Sequence, residues 1–302
     1  MTERRDSIQF KKNIPLSRHT TFKIGGPADY FIAVRSIKKL KQVVEYANEN
    51  GMPFLFIGGG SNLLVCDRGV RGIVIKNGIK GIRRKGNSII ARSGEKLSRI
   101  VDFAMQNRLS GLEFASGIPG TLGGAVYGNA GAYGKCMGDV LVKAKIMKRD
   151  GNILDVDNDY FHFLYRWSGL KNSGGMLLEA EISLSPGCGE DICCEIERIV
   201  AERRRKHPAH DVGCAGSYFK NLDPPRPGAR RIAAGKLLEQ VGAKAMRVGN
   251  AVVFEGHANF LTNPGGAKCE DMLKLVDLLK KRVKERFGIE LKEEIIYIDE
   301  EI

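Results

Sequence analysis

The order of apolar and polar positions divides the chain into strand-like and helix-like stretches before any motif is considered. Ala28 to Val34 reads as a strand, and Ser36 is placed to N-cap a helix in which Leu40, Val43, Val44 and Ala47 recur at spacings of three and four. Gly51 ends that helix. Phe54 to Ile57 predicts a short buried strand running straight into Gly58-Gly59-Gly60-Ser61-Asn62, and strand character resumes at Gly72 to Ile75. A second unit opens with a strand at Ser88 to Arg92 and a helix around Lys96 to Gln106, whose apolar stripe is Leu97, Ile100, Val101 and Ala104. Strands are expected at Leu141 to Met147, Ile153 to Val156 and Met176 to Leu184, then a charged helix from Asp191 to Lys206. The third unit predicts a short polar loop at Gly216 to Asn221, a helix near Ala234 to Val241, and short strands around Val252 and Phe260. A helix from Glu270 to Phe287 and a last strand, Glu294 to Ile298, complete it.

Composition narrows the class. The chain has 302 residues, 43% hydrophobic and 27% charged, the profile of a water-soluble globular protein with core enough for more than one compact unit. The stretch Met1 to Asp6 leads into no apolar segment, and no later run approaches the ~18 apolar residues that cross a bilayer. A cytoplasmic protein without membrane insertion is expected. The seven cysteines are odd in number and lack paired metal-ligand spacing, so free thiols and no metal site are expected. The net charge is +13, with basic clusters at Arg83 to Lys85, Arg203 to Lys206, Arg230-Arg231 and Lys280 to Arg282. Most sit on helix-like stretches among acidic neighbours, and no nucleic-acid module accompanies them. The excess suits a small anionic substrate better than a nucleic acid.

Glycine is the anomaly, at 37 residues concentrated in loops. The run Gly58 to Asn62 leaves backbone N–H groups unshielded by Cβ atoms, which lets a chain approach a phosphate closely; alone, it reads more readily as a tight turn. The longer stretch from Ser116 to Gly134 is more specific. Its glycines recur every third position at 117, 120 and 123 and again at 128, 131 and 134, too densely for a stable helix. Either a close-packed crossover or a dinucleotide lying along it would hold it in place. The candidate dinucleotide contacts are Gly58, Gly59, Gly60, Ser61 and Asn62, with Ser116, Gly117, Pro119, Gly120, Gly123, Gly124, Asn129, Gly131 and Ala132. Neither loop is G-x-G-x-x-G opening a helix after a first strand, so a Rossmann site is disfavoured. Gly216-Ser217-Tyr218 is not the G-x-S-x-G elbow of serine hydrolases.

Thr20-Thr21-Phe22-x-x-Gly25-Gly26-x-Ala28-Asp29, Gly58 to Val65 and Ser116 to Gly134 together resemble the UDP-N-acetylenolpyruvoylglucosamine reductase (MurB) family. Further matches follow in order: Tyr165-Arg166-x-Ser168, Ala215-Gly216-Ser217-x-Phe219-Lys220-Asn221, Ala234 to Glu239, His257 to Phe260, and Phe287-Gly288-Ile289-x-Leu291-x-x-Glu294. The resemblance spans nearly the whole chain. It implies an α+β architecture: a two-subdomain FAD-binding fold of the p-cresol methylhydroxylase and vanillyl-alcohol oxidase kind, residues 1–84 and 85–200. A C-terminal α+β substrate-binding domain, residues 201–302, completes it.

The same resemblance implies reduction of UDP-N-acetylglucosamine enolpyruvate to UDP-N-acetylmuramate in peptidoglycan precursor synthesis, with NADPH as co-substrate and a monomeric enzyme. FAD is expected to be noncovalent, because His19, His162, His207, His210 and His257 all fall outside the glycine loops. Arg166 matches the family's arginine for the substrate carboxylate and developing enolate, Glu294 its acid or hydrogen-bond donor, and Ser217 its proton donor. Tyr165, Lys206, Lys220 and Asn221 are the candidate substrate contacts. Trp167, Phe254, Asp299 and the 207–214 segment depart from the family pattern and bear on substrate contacts; short connections suggest the family's more compact subclass. Another FAD oxidoreductase on the same fold, or a non-catalytic basic nucleotide-binding protein, are the alternatives.

Overall fold

A computed structural model describes residues 8–209, 211–226 and 228–302; His210 and the Met1 to Asp6 stretch lie outside the described residues. Sheet formation follows the apolar runs. The first sheet has the order Lys11–Pro15, Pro27–Val34, Val70–Asn77, Phe54–Ile57, with the last two pairings parallel and the first antiparallel. The helix Ile37–Glu49 crosses between its strands and buries Leu40, Val43, Val44 and Ala47, and Ser36 caps it by accepting from Lys39 N at 3.2 Å. The strand Lys11–Pro15 carried too little apolar signal to be expected.

The second sheet is antiparallel throughout, in the order Ile153–Asp157, Leu141–Met147, Met176–Ser183, Ser88–Arg92, Ile82–Lys85. The helix Leu97–Gln106 lies on it with Leu97, Ile100, Val101 and Ala104 buried, as the stripe requires. The third sheet, Gly213–Ser217, Phe260–Asn263, Ala251–Val253, Arg247–Val248, is antiparallel and backed by the helices Ala234–Gln240 and Cys269–Phe287. The helix Gly189–Lys206 leads into it and runs unbroken through residues 200 and 201.

These lobes share cores. Met147, Met176 and Leu178 of the second sheet pack into the core of the first, and Phe22, Ile24 and Leu64 enter the third. The last strand, Ile296–Ile298, leaves the third lobe to pair in parallel with Leu63–Val65, directly after the first glycine loop.

Two expectations are corrected. The Ser116 to Gly134 stretch contains a helix, Leu122–Tyr127, despite Gly123 and Gly124. Neighbouring backbone fixes its start: Leu122 N donates to Glu95 O at 2.9 Å and Gly123 N to Ser93 O at 2.8 Å, while the Thr121 hydroxyl accepts from Gly124 N at 3.5 Å. Burial of Leu122, Ala125 and Val126 then offsets the poor glycine propensity. The second correction is at Gly216 to Asn221, whose first residues end the strand Gly213–Ser217 instead of forming a loop.

Candidate active site

The two glycine loops touch. A Cβ on Gly59 would stand 2.9 Å from Gly120 Cα, and one on Gly60, at φ +69°, would meet His19 O at 2.0 Å. The Ser61 hydroxyl donates to Pro119 O at 3.1 Å, and Thr21 N to Gly60 O at 3.1 Å. These glycines therefore serve close backbone packing first. What remains free is informative: among the described residues, the N–H groups of Gly58 through Asn62 make no hydrogen bond to a protein acceptor. The hydroxyl of Ser116 is likewise buried without a partner. Backbone N–H groups left unpaired beside a buried, unpartnered hydroxyl are what an anionic ligand would satisfy, so a dinucleotide cofactor fits these residues. Gly117 is filled from the side by Arg203, whose Nε donates to Gly117 O at 3.0 Å. The Gly131–Ala132 strand pairs with Lys135–Cys136, placing Tyr133 and Gly134 at the tip of a hairpin.

Beside this junction a tight turn presents Arg166. Leu164 and Trp167 exchange backbone hydrogen bonds of 3.1 Å, so Trp167's departure from the family pattern sits where the main chain does the bonding. Arg166 itself takes φ +56°, a costly conformation for a residue with a Cβ. Its Nη1 donates to Gly131 O at 2.9 Å, and its Nε lies 2.6 Å from Glu294 Oε1. That contact is an ion pair with poor hydrogen-bond alignment, since the buried Nε has no properly directed acceptor. Glu294 precedes the last strand and is tied to the first glycine loop: the Asn62 side chain donates to Glu294 O at 3.0 Å. Burial pushes the Glu294 carboxyl up, against the opposing pull of Arg166, Lys220 and Lys171.

Ser217 ends its strand opposite Phe260. The register slips between Cys214 and Ser217, with Gly216 at φ +81°, and this bulge re-aims the serine. Its hydroxyl has no hydrogen bond among the described residues. Phe260 is flanked by His207 and His257, with ring centroids at 4.6 and 4.4 Å. Burial, then Arg203, pushes His207 down to about 4.

The other expected contacts divide. Tyr165 accepts from Asn221 N at 3.2 Å and carries Arg231 over its ring at 3.9 Å, while Lys220 lies close enough to oppose the rise at Glu294. Asn129 spends its side chain internally, donating to Leu164 O at 2.9 Å and accepting from Gly138 N at 3.0 Å, and so braces the Arg166 turn. Lys206 is exposed and ion-paired with Glu202 at 2.6 Å on its own helix. Lys171 went unnoticed in the sequence, and Arg203 was read only as part of a charged helix face. Lys171 donates to Arg166 O at 3.0 Å, and Arg203 contacts Gly117; neither lies in a motif, and only the fold brings them here. Among the described residues there is no cluster of three or more His, Cys, Asp or Glu suited to a metal, and no helix long and apolar enough to cross a membrane.

Residues 28–157 match the family model of an FAD binding domain. Fold and site thus define an FAD-dependent oxidoreductase. Residues 207–298 match the model of the UDP-N-acetylenolpyruvoylglucosamine reductase C-terminal domain. The chain is 42% identical to a UDP-N-acetylenolpyruvoylglucosamine reductase of Caldanaerobacter subterraneus, covering 95% of this chain and 93% of the relative. It is 40% identical to that of Bacillus subtilis over 94% and 92%. A crystal structure of the Thermus caldophilus reductase (MurB) superposes with a TM-score of 0.81 at 32% identity, over 97% of this chain and all of the other. The chain belongs to the UDP-N-acetylenolpyruvoylglucosamine reductase family.

Proposed function

We propose that this protein reduces the enolpyruvyl ether of UDP-N-acetylglucosamine enolpyruvate, using NADPH and noncovalent FAD, as a cytoplasmic monomer of peptidoglycan precursor synthesis. Gly58 to Asn62, Ser116 and the following loop would hold the diphosphate through the N–H and hydroxyl groups described above. FAD held there would supply hydride chemistry, with NADPH as the source of reducing equivalents. Arg166 binds the substrate carboxylate, and its fixed guanidinium stabilises the negative charge that builds beside it. Glu294, whose carboxyl burial pushes up against the pull of Arg166, stands beside the same oxygens as the acid or hydrogen-bond donor. Ser217 protonates the adjacent carbon; a serine hydroxyl is a weak acid, so placement and the cationic surroundings of Lys220 and Arg166 must compensate.

Tyr165, Lys220 and Asn221 are the proposed substrate contacts, within the third lobe of residues 201–302 and the turn facing it. Lys206 could serve only by leaving Glu202. The carrying observation is the meeting at 2.6 Å of Arg166 and Glu294, a pair joined through Asn62 to the glycine loop.

Substrate-dependent NADPH oxidation tests the proposal. The purified protein should be yellow, release flavin on denaturation, and consume NADPH with the enolpyruvyl sugar nucleotide but not with simple alcohols or hydroxy acids. Turnover of those instead would point to another oxidoreductase, and flavin-free protein that binds nucleotides without turnover to a binding protein.

A further inference from the structure

Lys171 stands in a one-turn helix, Leu170–Ser173, with nothing in its local sequence to mark it. Its ammonium donates to Arg166 O at 3.0 Å and lies 5.5 Å from the centre of the Tyr127 ring. The carbonyl it holds belongs to the left-handed residue of the turn. The N–H groups that close the turn, those of Leu164 and Trp167, are already spent on each other's carbonyls. Lys171 is thus the side chain that satisfies the backbone of Arg166, while Gly131 O and Glu294 receive its guanidinium.

We propose that Lys171 is a positioning residue for the reductive step: it locks the strained backbone of Arg166 so that the guanidinium stays on Glu294 and on the substrate carboxylate. The proposal rests on the function given above for Arg166 and Glu294. A neutral aliphatic side chain at 171 would leave a carbonyl unpaired beside a residue that prefers another conformation, and the turn would relax toward right-handed φ. The charges facing Lys171 are Arg166, Lys220 and Glu294, and the Tyr127 ring covers its remaining side. Burial, then Lys220, pushes its own pKa down, with Glu294 opposing. Two cations already beside it make a third costly unless it does something they cannot, and bonding the Arg166 carbonyl is that task.

Lys171→Met and Lys171→Arg would be compared with wild type in separated half-reactions. For Lys171→Met, flavin reduction by NADPH should be unchanged, while reoxidation by the enolpyruvyl substrate slows by about 10²-fold, the cost of misplacing one catalytic group by an ångström. Lys171→Arg, which keeps charge and donor, should recover most of that rate. The pH at which Glu294 loses its proton should rise in the methionine variant, because one of the cations opposing its burial is gone. Calorimetric binding of the product should weaken in parallel, a readout independent of turnover. Unchanged reoxidation in Lys171→Met would overturn the proposal, as would equal losses in both half-reactions or in both variants. If Lys171→Met does not fold, Lys171→Arg with wild-type reoxidation and an unshifted pH profile supports positioning, and the same variant slowed tenfold or more argues against it. Failure of the wild type to be reoxidised by the substrate would sink the assigned function instead, and is read separately.

Discussion

Replacing Ser217 by alanine gives the sharpest separation of chemistry from stability that the site offers. The hydroxyl has no hydrogen-bond partner among the described residues, and the side chain is only half-buried at a strand end opposite Phe260. Deleting it leaves no orphaned donor or acceptor, and alanine fits the backbone, so the change in folding stability should stay within about 0.5 kcal/mol. The kinetic cost is of another order. A positioned general acid contributes about 10²–10⁴ in rate, or roughly 2.7–5.4 kcal/mol of barrier. Arg166 cannot substitute, since its guanidinium is ion-paired with Glu294. Stopped-flow absorbance at the flavin band resolves the two steps. Reduction by NADPH should be indistinguishable from wild type, and reoxidation by the enolpyruvyl substrate should slow by that factor with an unaltered melting temperature. Reoxidation at the wild-type rate would refute the assignment, and a melting temperature lowered by several degrees would show that the hydroxyl carries structural weight the geometry does not reveal.

Other consequences are equally open to measurement. Because burial raises the Glu294 pKa, the protonated donor persists above the usual carboxylate range, and reoxidation should fall as pH rises through the raised value; in Glu294→Gln a pH–rate profile should lose that limb. His207, neutral when folded, titrates at 6.5 when unfolded and at about 4 in the native state. The unfolded chain binds the extra proton between those values, so stability is present above pH 6.5 and lost as pH falls toward 4; thermal unfolding of His207→Gln should depend less steeply on pH across that window. Gly60→Ala places a Cβ 2.0 Å from His19 O at φ +69°, which should cost about 1–3 kcal/mol in overpacking and yield protein that purifies with less flavin.

Much of the fold was legible because its signals are local. The helices at Ile37 and Leu97 follow from apolar stripes, and Ser36 and Gly51 bound the first of them. The helix Leu122–Tyr127 was not legible, because its stability comes from Glu95 and Ser93, contacts that no propensity encodes. The strand Gly213–Ser217 was hidden for the same reason: glycine, cysteine and alanine carry little strand preference, and pairing with Phe260–Asn263 decides the matter. At the site, Arg166, Ser217 and Glu294 were singled out through the family pattern, whose register alone distinguished Glu294 from Glu293, and the fold brings Arg166 and Glu294 together. Lys171 and Arg203 lay outside every motif, and Asn129 pointed to the cofactor although its amide is spent on the protein.

The pairing of Ile296–Ile298 with Leu63–Val65 sets an order of events for a folding chain. Asn62 and Glu294 are 232 residues apart in sequence. Bringing such distant segments together from an unstructured chain costs about 5 kcal/mol in loop-closure entropy, most of it removed once the intervening lobes have formed. The closure is therefore a late step, and the carboxylate reaches Arg166 only when it is complete. A chain refolding from denaturant should regain the absorbance of packed aromatic residues first and reductase turnover last. The interval between them would measure how long the first lobe waits for its final strand.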